Sequence, residues 1–184
     1  MYKEGSDINK VKWTGRWVLA SAMVKAGFLK YNPDTHHDVE TMENSKYIWI
    51  FKPQIKRLLF TEGRNIPDGD AMMPKLLFMA SNKTLSVFAL KSGDQLYRAP
   101  FHNTSSNGIV CQGSARANKR SWVYRDVMDY WEDIFFNSKF SHASGGNPIK
   151  GDIDEFWRKA IETKSKKFDS SCLIKMDKKI QDLF

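Results

Sequence analysis

Leu76-Leu77-Phe78-Met79-Ala80, then the polar Ser81-Asn82-Lys83, then Leu85-Ser86-Val87-Phe88-Ala89-Leu90: this stretch decides the fold of the 184-residue chain. Short runs of aliphatic and aromatic residues bounded by turn-forming ones predict β-strands. So brief a connection requires the two strands to be antiparallel, because a parallel pair needs a crossover of about a dozen residues or more. Working upstream, Tyr47 to Phe51 and Lys56 to Phe60 have the same character. Lys52-Pro53 separates them, and Ile66-Pro67-Asp68-Gly69-Asp70 follows the second. The expectation is an antiparallel meander of about four strands.

Downstream the period changes. Val123, Val127, Tyr130, Trp131 and Ile134 share one helical face, capped near Ser121. Asp152 and Glu155 make a capping-box-like start for a second helix, with Ile153, Phe156, Trp157, Ala160 and Ile161 as its apolar stripe. Strands followed by helices predict a single α+β domain, a sheet covered on one face. At the N-terminus, Thr14 could cap a helix from Arg16, with Trp17, Ala20, Ser21, Val24 and Phe28 on one side and Gly27 and Pro33 closing it. Residues 32–45, with His36 and His37, read as a loop, and no first strand is evident. The domain then divides into an N-terminal helix and loop (1–45), a sheet with the active-site segment (46–113) and C-terminal helices (121–184).

Composition narrows the function classes. Hydrophobic residues at 41% and aromatic residues at 13% fit a packed core rather than disorder. The formal charge of +8 favours acidic partners, but the basic residues are mixed with acids, with no long single-sign tract, and read as solvated surface. The opening MYKEGSDINK is too polar for a secretory leader and no apolar run nears the ~18 residues of a membrane span, so a cytoplasmic location is expected. Cys111 and Cys172 form no CxxC pair, and the four histidines do not stand at ligand spacing with them. Neither a structural zinc site nor a cofactor is expected.

The chemistry is concentrated in Tyr97-Arg98-Ala99-Pro100-Phe101-His102-Asn103-Thr104-Ser105-Ser106-Asn107-Gly108-Ile109-Val110-Cys111. Asn107-Gly108 predicts a tight turn that returns Cys111 beside Asn103. A thiolate attacking an acyl carbon needs a fixed donor for the oxyanion that develops, and a side-chain amide supplies one. The plain alternatives are that Cys111, following Ile109 and Val110, is a buried strand cysteine, and that Asn103 is a turn residue. Cys172 has no comparable setting and reads as inert.

Ubiquitin-conjugating enzymes carry a His-Pro-Asn tripeptide and, eight residues after its asparagine, an acceptor cysteine in a pattern like N-x-x-G-x-I/V-C. This chain resembles them in His102-Asn103 and in Asn107-Gly108-Ile109-Val110-Cys111. It is more closely similar to the prokaryotic family D of that superfamily, which includes protein B of the PRTRC cassettes. The likeness runs from about Arg57 to Phe184, through Ile66-Pro67, Leu76-Leu77-Phe78, Leu96 to Phe101, Gly108 to Gly113, Phe135 to His142 and Phe156-Trp157.

The resemblance implies a UBC-like fold that receives a ubiquitin-like protein from a ThiF-type activating enzyme, with a JAB-type peptidase often encoded beside them. It implies Cys111 as acceptor and Asn103 as oxyanion donor. His102, read from its position, either orients Asn103 through backbone geometry or faces solvent. In the Gly-rich loop, where ubiquitin-conjugating enzymes place groups that gate the attacking amine, His142 would accept a proton from a lysine nucleophile or depress its pKa, the plain alternative being a helix-end or loop histidine. Antiphage defence and plasmid maintenance are both compatible settings. The chain departs from the superfamily pattern in having no proline between His102 and Asn103, in Gln112-Gly113-Ser114, and in lacking the later Trp-Ser-Pro segment. A catalytically silent UBC-like binding module is the alternative reading. A basic nucleic-acid-binding protein is a weaker one, without a recognised motif.

Overall fold

The computed structural model describes residues 10–13, 16–19, 46–81, 84–113, 124–142 and 145–183. All four expected strands are present: β3 (Lys46–Phe51), β4 (Ile55–Phe60), β6 (Lys75–Ser81) and β7 (Thr84–Leu90). Joining them are β1 (Lys10–Trp13), β2 (Arg16–Leu19), β5 (Gly69–Met72), β8 (Gln95–Arg98), β9 (Lys139–Phe140) and β10 (Lys175–Lys179). The two expected helices are α1 (Tyr124–Phe136) and α2 (Ile153–Thr163). The architecture is α+β and mostly antiparallel.

The meander is corrected. Seven strands form one sheet in the order β1-β2-β3-β6-β7-β8-β10, and β4 lies outside it in a second sheet ordered β5-β4-β9. The cause lies at the N-terminus, where the helix expected from Arg16 is a strand. β2 pairs with β1 through Trp13↔Arg16 and Val11↔Val18, then with β3 through Trp17↔Ile50 and Val18↔Trp49. β6 takes the other side of β3. With both flanks of β3 occupied, β4 forms a hairpin with β5 and pairs in parallel with β9, through Leu59↔Lys139 and Phe60↔Phe140. Part of the expected turn at 66–70 is thereby drawn into β5. The remainder of the expected helix and loop, from Thr14 as cap to His36 and His37, lies outside the described residues, as does Ser121.

The expectation of a sheet covered on one face is also corrected. Successive side chains of a strand point to opposite faces. Trp49, Phe51, Leu76, Phe78, Val87 and Ala89 face the larger core, while Ile48, Ile50, Leu77, Phe88 and Leu90 belong to a second buried cluster with Leu96, Met176 and Ile180. Burial on both faces explains why the strands read as unbroken apolar runs. The larger core anchors the helices: Trp49 stacks on Phe78 at 5.3 Å, and its Nε1 donates to Glu132 Oε1 of α1 at 3.0 Å. A buried hydrogen bond to a charged acceptor contributes about 1.5–3 kcal/mol.

α2 starts as its sequence predicts. Asp152 is the N-cap and its carboxylate accepts from Glu155 N at 2.9 Å, while Ile153, Trp157 and Ile161 are buried at i, i+4 and i+8. Trp157 stacks on Phe101 at 5.4 Å and donates through Nε1 to Pro100 O at 2.7 Å. α2 therefore grips the segment that leads to the thiol.

Candidate active site

Of β7, only the second half, Phe88, Ala89 and Leu90, pairs with β8. The first half of β7 is taken by the returning arm of the active-site segment: Val87 N donates to Gly108 O at 2.8 Å and Val110 N to Leu85 O at 2.9 Å. Between them the chain turns as expected, with Gly108 N donating to Ser105 O and Ser105 N to Ile109 O. Gly108 has φ +85°, and a Cβ there would lie 2.4 Å from the Phe88 ring, so both conformation and space require glycine. The bridge Thr104↔Val110 sets the two arms side by side, and Cys111 N donates to Asn103 O at 2.8 Å. Eight residues of sequence thus become one backbone contact.

The side chains then separate by role. Cys111 is exposed, which overturns the buried-strand alternative. Asn103 is only 4% exposed, and its amide is used at both ends: Nδ2 donates to Lys139 O and Oδ1 accepts from Ser141 N, each at 3.1 Å. Cys111, Asn103 and His142 line one cleft of about 560 Å³, with Thr61, Gln112 and Ser141 among its other walls. His142 is exposed there, its Nδ1 2.8 Å from Ser141 Oγ.

His102 turns the other way. It is completely buried, edge-on to Phe60 at 5.8 Å, with Nε2 2.6 Å from Asp154 Oδ1. Burial pushes the His102 pKa down, and the opposing hydrogen bond and charge of Asp154 do not restore it; Arg64 lowers it further and Asp152 raises it slightly. Burial also pushes Asp154 upward, but the hydrogen bonds and charges of His102 and Arg64 outweigh that and hold its carboxyl below the usual range. A neutral His102 therefore donates from Nε2 to a carboxylate, leaving Nδ1 buried without a partner.

Sequence reasoning missed Arg64 and Asp154. Arg64 Nη1 pairs with Asp154 Oδ2 at 3.3 Å, and Arg64 Nε donates to Ser141 O. The backbone of Ser141 is held on both sides, its N–H by Asn103 and its carbonyl by Arg64. His102, Asp154 and Arg64 thus form a chain of contacts ending on the cleft wall beside His142. Asp154 is visible in the sequence only as part of a helix start, and nothing marks Arg64. The Gly-rich loop is fixed as well: Arg98 Nη2 donates to Gly145 O at 2.7 Å, and a Cβ at Gly145 would come 2.3 Å from Ser106 N. This loop and the thiol turn pack backbone to backbone.

The second thiol differs throughout. Cys172 is buried in a 3-10 turn, donates to Asp169 O at 3.1 Å, and its pKa is pushed up to about 11 by burial and then by the Asp169 charge.

Among the described residues no cluster of histidine, cysteine, aspartate and glutamate could hold a metal ion. Among them, too, no helix is long and apolar enough to cross a membrane. The sequence profile described as prokaryotic E2 family D matches residues 19–176, and the chain belongs to that family. No curated protein and no solved structure matches it. Membership ties the chain to ubiquitin-type conjugation.

Proposed function

We propose that this member of prokaryotic E2 family D is a conjugating enzyme of UBC-like fold, which carries a ubiquitin-like protein as a thioester on Cys111 and passes it to an acceptor. The observation that carries the reading is an exposed thiol joined through its own backbone N–H to Asn103, in a cleft that His142 also lines. In the loading step the Cys111 thiolate attacks the thioester carbonyl on a ThiF-type activating enzyme and displaces that enzyme's thiolate. In the second step an acceptor amine attacks the Cys111 thioester. The new amide bond forms, the C–S bond breaks, Cys111 leaves as thiolate, and the amine's proton passes to His142 or water.

Asn103 has a second Nδ2 hydrogen beyond the one given to Lys139, and that hydrogen is the oxyanion donor. His102 acts at a distance, through Asp154 and Arg64, on the peptide of Ser141. It is a positioning residue.

A second reading is a silent binding module, favoured by one observation: the Asn103 amide already serves the wall of the cleft at both ends. Incubation with a ThiF-type activating enzyme, a ubiquitin-like protein and ATP separates the two. Conjugation produces an adduct that thiols cleave, absent in Cys111→Ala, converted to a thiol-resistant oxyester in Cys111→Ser, and retained in Cys172→Ser. A protein that binds the ubiquitin-like partner without any adduct is the silent module.

A further inference from the structure

The basic residues are scattered along the chain, but the acidic ones are not. Residues 95–125 and 134–151 contain no aspartate or glutamate and seven lysines and arginines. The rest of the chain holds 22 basic residues against 21 acidic ones, so nearly all of the +8 charge belongs to these two stretches. The described parts of these stretches build the cleft, one supplying Asn103, Cys111 and Gln112, the other Lys139, Ser141 and His142, and the basic side chains described in them are Arg98, Lys139 and Lys150. None of the described residues lining the cleft is acidic. Glu62 follows the lining residue Thr61, and Asp154 is occupied by His102 and Arg64.

Among the described residues, Lys139 and Lys150 are exposed, Lys139 in the cleft wall and Lys150 in the Gly-rich loop that packs on the thiol turn. Arg98 is half-buried and spends one guanidinium nitrogen on the carbonyls of that loop. Ile109, two residues before the thiol, is 53% exposed, an apolar contact beside the charge.

Resting on the conjugating reading, we infer that the acceptor reaches Cys111 on an acidic polypeptide segment, its nucleophile flanked by aspartate or glutamate. A cleft whose lining carries charge of one sign raises the local concentration of oppositely charged substrate and speeds encounter by about 10–10³-fold at low salt. A protein segment fits better than nucleic acid, since single strands are gripped by exposed aromatic rings, and the exposed large hydrophobics among the described residues are Ile55 and Ile109.

The test loads Cys111 from a synthetic Gly-Gly peptide thioester and follows discharge onto three lysine peptides of equal length, flanked by glutamate, by serine or by arginine. The acidic peptide should react about tenfold faster than the arginine peptide in 20 mM salt. The gap should close in 0.5 M salt, where screening shortens the field to a few ångströms. Lys139→Glu with Lys150→Glu should narrow the preference at low salt. The same peptides, fluorescently labelled and titrated with unloaded protein, read the surface without the thioester, so failure to load removes the conjugating reading while the acid preference is still measured. Equal rates and equal binding for all three peptides overturn the inference. So does stronger binding of a 20-nucleotide single strand than of a peptide of the same charge, which assigns the surface to nucleic acid.

Discussion

Cys111 and Cys172 each end a turn, and they differ in almost everything that governs a thiol. Cys172 ends a three-residue helical turn, donates to a backbone carbonyl, and is raised to about 11 by burial and a nearby carboxylate. Cys111 is exposed at the end of an arm stitched to β7, with a backbone bond to Asn103. Flanking hydrophobicity distinguishes them poorly, since Ile109 and Val110 precede the exposed one. What separates them is the alternation of the arm, with Ile109 exposed, Val110 buried and Cys111 exposed again, whereas Cys172 closes a 3-10 turn into the core.

The strongest way to break this contrast is substitution. Cys111→Ala should abolish the thiol-cleavable adduct completely and Cys172→Ser should leave it intact, read on non-reducing gels; an adduct that survives Cys111→Ala ends the assignment. Next in size is Asn103→Ala, which removes the donor and one pole of the Ser141 clamp together. It should lower transfer from preloaded thioester by about 10²–10³, measured in single turnover.

Alkylation sharpens the contrast directly. With the Cys172 thiol near 11, about 3 in 10⁴ of it is thiolate at pH 7.5. Iodoacetamide should therefore modify Cys111 at least ~100-fold faster in the folded protein, located by peptide mass spectrometry. Equal rates would mean that the 170–172 turn opens readily.

Arg64→Ala should cost about 10–10²-fold in transfer, the upper figure being the loss from a group misplaced by about 1 Å, with loading little changed and Arg64→Lys partly restoring it. Equal losses in both steps would make Arg64 a general fold residue rather than a holder of the Ser141 carbonyl.

The smallest effect is on stability. His102 stays neutral in the fold below its ordinary 6.5, so the unfolded chain takes up a proton first as pH falls. Stability from this group is fully present above about 6.5 and is lost as pH drops below it toward the lowered folded value. Denaturant midpoints at pH 7.5 and 5.5 should show the decline, and His102→Gln should flatten it.

Local rules carried the reading wherever the cause of an element was local. The hairpin of β6 and β7, the capping of α2 by Asp152, the stripe of α1 and the Asn107-Gly108 turn all follow from residues within a few positions of one another. Two errors in the sheet were one error. A helix from Arg16 with Trp17 on its apolar face leaves a flank of β3 free for β4, and β2 in fact occupies that flank. The signal lay in Val11-Lys12-Trp13, Thr14-Gly15 and Arg16-Trp17-Val18, a two-residue connection between alternating runs that reads as a hairpin.

At the site, the sequence alone determined the spacing that joins Asn103 to Cys111, because the turn between them closes within nine residues around Gly108, whose positive φ favours glycine. Which histidine faces the cleft, and what holds the opposite wall, only the tertiary structure decided. His102 and Asp154 are 52 positions apart, and Arg64 and Ser141 are 77. Contacts at that distance depend on how Phe140 of β9 and Trp157 of α2 stack on Phe101 and how Phe60 of β4 meets His102 and Phe140. Packing of that kind leaves no periodic mark in a single chain.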